Sequence, residues 1–73
     1  MADPVAWTMI EPGWSVVDAS GEEIGTIAEV EGDENLDIFD GIKVRKGMDI
    51  LSEPRYIPAE QVGRIEVGTV HLV

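Results

Sequence analysis

Cysteine is absent from this sequence, histidine occurs once, and leucine appears three times in 73 residues. Without cysteine there are no disulfide staples, no thiolate metal sites and no cysteine nucleophiles. That composition fits a reducing compartment, so a cytoplasmic location is the expectation. No run approaches the roughly 18 apolar residues that a membrane helix needs. Met1–Ala6 has neither a basic stretch nor an apolar one, so no signal peptide is expected. Bases are scarce as well: five Lys and Arg stand against fifteen Asp and Glu, a formal net charge of −10. Such a chain repels phosphate backbones and anionic lipid, which argues against direct nucleic-acid contact and against membrane insertion. The charge keeps a small domain soluble, and its functional counterpart is attraction to a partner with a basic surface.

What is present points to strands. Valine and isoleucine together number 17, and β-branched side chains fit a pleated sheet better than a helix. The length allows one domain with a core near the lower limit for independent stability. Such a chain gains from association, so a homo-oligomer is among the expectations. Residues 1–9 read as a flexible lead-in and 10–73 as the domain. Trp14–Asp18 forms a first strand, and Ala19-Ser20-Gly21-Glu22 a tight hairpin turn. A second strand runs from about Glu23 to Glu31, with Ile24, Ile27 and Val30 off strict alternation and a bulge near Gly25 or Thr26. Gly32–Asn35 is a loop, and Leu36–Arg45 a third strand with Ile42 and Val44 on one face, Lys43 and Arg45 on the other. Lys46–Glu53 is a longer loop in which Ile50 and Leu51 are expected to fold back on the barrel. Tyr56-Ile57 is a short fourth strand stopped by Pro58, and Ala59–Val62 one helical turn. Arg64–Val67 and Thr69–Leu72 complete the set, turned at Gly68. Six short meandering strands give an all-β fold that curls into a small β-barrel.

Few groups here can do chemistry. Asp33-Glu34-Asn35-Leu36-Asp37 begins like a calcium loop, but Ile38 and Val44 stand where that motif needs Gly and Glu, so a solvated acidic loop is the reading. His71 alternates with Val70 and Leu72 and reads as an outward surface histidine, without companions for a zinc site. Ser15, Ser20 and Ser52 lack a nucleophile-elbow context, and Gly21–Gly25 lacks the order of a phosphate loop. No catalytic residue, metal ligand or cofactor is expected, and the chain is not read as an enzyme. Four residues stand out for an interface. Lys43 and Arg45 hold two of the five bases on one outward face, suited to ion pairs with neighbouring acids or to a basic strip against an acidic one. Trp14 is expected near the core. Trp7, in the lead-in, is expected at a surface or interface, where tryptophan is enriched among hot spots.

The order and spacing of several segments resemble one known family. Val16-Val17-Asp18-Ala19-Ser20-Gly21-Glu22-Glu23-Ile24-Gly25-Thr26-Ile27 is similar to the opening hairpin of PRC-barrel domains. Phe39-Asp40-Gly41-Ile42-Lys43-Val44 resembles their central strand. Tyr56-Ile57-Pro58-Ala59-Glu60-Gln61-Val62, followed by Ile65, Val70 and Leu72, resembles their closing segment. The resemblance covers about Ile10 to Val73. It implies the partly open barrel of the reaction-centre H subunit's cytoplasmic domain and of a ribosome-maturation factor's C-terminal domain. It also implies a stand-alone, non-catalytic protein–protein interaction or assembly module. A second reading is a small-ligand-sensing barrel, which a pocket with an apolar lining and a few convergent polar groups would support. A third is a ribosome-maturation-associated adaptor that binds a basic protein.

Overall fold

The structure, a computed structural model, describes residues 4–46 and 53–73. The protein is nearly all β. Its strands are β1 (Ser15–Val17), β2 (Glu23–Asp33), β3 (Ile38–Arg45), β4 (Arg55–Pro58), β5 (Val62–Glu66) and β6 (Thr69–Leu72). Two 3₁₀ turns, Trp7–Met9 and Ala59–Gln61, complete it. All six strands join one sheet in the order β4-β3-β2-β1-β6-β5.

The expected meander holds from β1 to β4 and then breaks. β6 pairs with β1 in parallel, with Val16 opposite Val70, while β5 and β6 form an antiparallel hairpin. The expected partly open barrel is therefore an open, curled mixed sheet with β4 and β5 as its edges. The reason lies between those edges. Pro58 has no N–H to continue a ladder, and the 3₁₀ turn after it, packed against β3, carries the chain from one edge to the other. Turn signals fix where strands stop, but not which neighbour each will find.

The irregular spacing in β2 comes from bulges. Ile24 is an extra residue opposite Val16/Val17, beside Gly25 as expected, and Ala28 is a second opposite Val44/Lys43. The inserted Ala28 turns the two-residue period into three, so Ile27 and Val30 both reach the core side. Asp40 is the matching extra residue on β3. The core is small: Ile10, Val16, Ile27, Ile42, Val44, Ile57 and Val70 are buried. Every one is β-branched, as the composition led one to expect. The β1–β2 turn is built on Asp18. Its Oδ1 accepts from the Ser20 Oγ (2.6 Å), the Ser20 N–H (2.9 Å) and the Glu22 N–H (3.0 Å). Gly21 in this turn has φ +89°, a conformation a β-carbon would strain. Ile50 and Leu51 lie outside the described residues, as does most of the expected 46–53 loop.

Candidate functional site

The tip of the β2–β3 hairpin brings together side chains from the N-terminal segment, β3 and the turn. The tip runs through Glu34–Asp37, and the Asp33 carboxylate accepts from the amides of Asn35 (3.0 Å) and Leu36 (3.3 Å). The oxygen that resembles a calcium ligand is thus committed to holding the turn. Asp37 has φ +53°, a left-handed conformation that Asp tolerates better than most residues. Its carboxylate accepts a bond from Trp7 Nε1 at 3.0 Å. The Trp7 ring stacks on Phe39, with centroids 5.2 Å apart and planes 14° apart. It also lies across Gly32, where a β-carbon would sit 3.0 Å from two ring atoms. Behind Trp7, the Val5 N–H donates to the Ile65 carbonyl on β5 at 2.8 Å. The segment expected as a loose lead-in is therefore held at both places over residues 5–7, strapped from β5 to the hairpin. Trp7 is half-buried, with its ring packed against the core.

The four residues singled out from the sequence fall on two faces. Trp7 and Trp14 both pack against the core. Lys43 faces outward between Glu29 (3.6 Å) and Glu31 (3.3 Å), so the simple ion-pairing reading describes it. The Glu31 and Glu29 carboxylates raise its pKa above the ordinary lysine value. Arg45 sits opposite Thr26 on the same ladder, half-buried. Sequence reasoning did not foresee the Trp7–Phe39–Asp37 cluster. Its one legible trace was a glycine at position 32, at the end of a strand.

On the outward face the hairpin shows a regular pattern. Glu29, Glu31 and Asp33 recur every second residue along β2, opposite Lys43, Gly41 and Ile38 of β3. Tyr56 of β4 pairs with Lys43 in register, and its hydroxyl reaches over Gly41 to donate to the Asp40 carbonyl at 2.8 Å. Leu36, Ile38 and Tyr56 are 67%, 50% and 49% exposed.

The opposite end of the hairpin holds a groove of about 590 Å³. Ile24, Gly25, Val44 and Ile57 line its floor, Glu22 and Glu23 one wall, and Lys46 and Arg55 the other. At the β5–β6 end, His71 Nε2 meets Glu66 Oε1 at 2.7 Å, and Arg64 approaches the other Glu66 oxygen at 3.2 Å. The expected plain surface histidine is half-buried and shares a carboxylate with an arginine. Among the described residues no group of three or more His, Asp or Glu side chains is placed to hold a metal ion. None of the helical turns is long and apolar enough to cross a membrane.

Fold and surface define a small, open, curled β-sheet domain with a strapped end and an acidic outward face. By sequence the chain belongs to the DUF2171 family of uncharacterized proteins conserved in bacteria, whose profile matches residues 10–73. No curated protein matches it. This overturns the resemblance to PRC-barrel domains, since the matching family is a different one. The reason is physical. The shared residues were turn glycines, branched core side chains and a strand-ending proline, which any curled hairpin sheet of this size needs.

Proposed function

We propose that this domain is a non-catalytic protein-binding module of the cytoplasm. The observation that carries the reading is the exposure of Leu36, Ile38 and Tyr56 around one rigidly built hairpin end. Exposed side chains of this kind, when held on a fixed scaffold, cost little further ordering on binding. The absence of cysteine from the sequence supports the compartment. A photo-crosslinking residue placed at position 36 in the producing cell is expected to yield a discrete protein adduct, and one at position 22 none. Absence of an adduct from position 36 and from every other exposed strand position removes the proposal.

A second reading rests on the groove. Its apolar floor, with acids on one wall and bases on the other, matches the lining expected of a small-ligand site. An adduct at position 22 to a small molecule, seen by intact mass and absent at position 36, favours that reading instead.

A further inference from the structure

We infer that the outward face of β2, β3 and β4 at the hairpin end docks a basic protein segment that alternates cations with apolar side chains. This rests on the module reading above and gives it a face and a partner chemistry. Three observations converge. The first is the row Glu29, Glu31, Asp33, spaced two residues apart along β2 and therefore roughly 6.7 Å apart on one face. Lys43 pairs with Glu29 and Glu31 at one end of the row, and Asp33 and then Glu34 carry the negative charge beyond that pairing towards the tip.

The second is the apolar ledge beside that row. The Asp40 bulge absorbs one residue, which sends Phe39 inward to Trp7 and Ile38 outward beside Asp33. Ile38 and the Tyr56 ring, whose hydroxyl spans the buried Gly41 between them, then follow one another on the outward face, with Leu36 at the tip. The third is rigidity. Trp7, stacked on Phe39 and bonded to Asp37, fixes the hairpin end from the inner side, so the outer side presents one shape. A carboxylate row beside an apolar ledge is complementary to a segment whose lysines or arginines meet the acids while its apolar residues cover the ledge. A second copy of this chain does not fit, because it brings the same sign of charge to the same row.

The test uses two labelled probe peptides of equal length and charge, one alternating lysine with leucine and one lysine with serine, followed by fluorescence anisotropy. The lysine–leucine peptide is expected to bind at least about tenfold more tightly. The double variant Leu36→Ser/Ile38→Ser is expected to bring it to the level of the lysine–serine peptide. Val67→Ser, which removes an exposed apolar side chain on the β5–β6 turn, is expected to change neither. Glu29→Lys/Glu31→Lys is expected to weaken both peptides. A melting temperature within the wild-type range certifies that each variant is folded. Equal binding of the two peptides, or a preference that survives Leu36→Ser/Ile38→Ser, overturns the assignment of this face. The crosslinking experiment separates the two ideas: adducts from another strand surface with a failed peptide test sink this face alone, whereas adducts from nowhere sink the module.

Discussion

The two ends of the β2–β3 hairpin are finished differently. At the Phe39 end an aromatic side chain from outside the sheet lies across Gly32, stacks on Phe39 and bonds to Asp37. At the Val44 end the described residues leave a groove of about 590 Å³ whose floor is apolar and whose rim is charged. Both ends belong to the same pair of strands, so register and composition do not separate them. Among the described residues, one end has a plug from the N-terminal strap and the other has none. An open sheet has free edges and uncovered core at its ends. Here the strap covers the hairpin end and touches the β5 edge through Val5. Among the described residues, the contacts that hold a hairpin end concentrate where Trp7 sits.

That contrast is broken most directly at Trp7. Trp7→Ala removes the ring stack, the bond to Asp37 and the cover over Gly32. Discounting for partial exposure, a loss of about 2 kcal/mol is expected, which in a domain of this size lowers Tm by roughly 10 °C. Gly32→Val should do comparable harm from the other partner, since its side chain would collide with the ring and the Ile38 carbonyl. Because the loss of the Trp7 ring is shared, the double variant is expected to be less damaging than the two losses added, with the clash against the Ile38 carbonyl remaining. Additive losses in thermal melts would show that Trp7 does not depend on this cradle. At the open end the scale is smaller. Arg55→Ala trims an exposed rim residue, and a stability change within about 0.5 kcal/mol is expected in the same melts. A larger loss would mean that the groove rim carries structure.

Much of the architecture was legible in the sequence, for reasons that also mark where legibility ends. The strand positions followed from glycine and proline punctuation and from 17 β-branched residues, and the fifth and sixth strands came out near their expected places. The order of strands did not follow, because the parallel pairing of β1 with β6 joins residues more than 50 positions apart and leaves no local pattern. A mixed sheet and a barrel present the same alternation. The hairpin end was legible in part. Lys43 and its acidic neighbours could be read from their alternation, whereas the seat of Trp7 depends on a contact 30 residues away in sequence. A tryptophan in a short lead-in reads as exposed until the glycine that receives it is located. The family resemblance failed on the same ground: residues chosen by the demands of turns and cores recur across unrelated sheets.

The smallest expected effect tests the β1–β2 turn, from which Glu22 reaches the open groove. The Ser20 hydroxyl, the Glu22 amide and the Ser20 amide all donate to the Asp18 carboxylate, and these bonds hold its pKa below the ordinary value of 3.8. A carboxyl whose pKa is depressed on folding stabilises the fold above its unfolded value, and that contribution is lost as pH falls through the folded value. The window therefore lies below pH 3.8. Melting temperatures of the wild type and Asp18→Asn are expected to converge as pH is lowered through that window, with the variant the less stable of the two near neutrality. The asparagine keeps an acceptor oxygen and loses only the charge, so the gap at neutral pH measures the charged character of these bonds and not the shape of the turn. A gap that stays constant on acidification would place the acid sensitivity elsewhere among the fifteen acids.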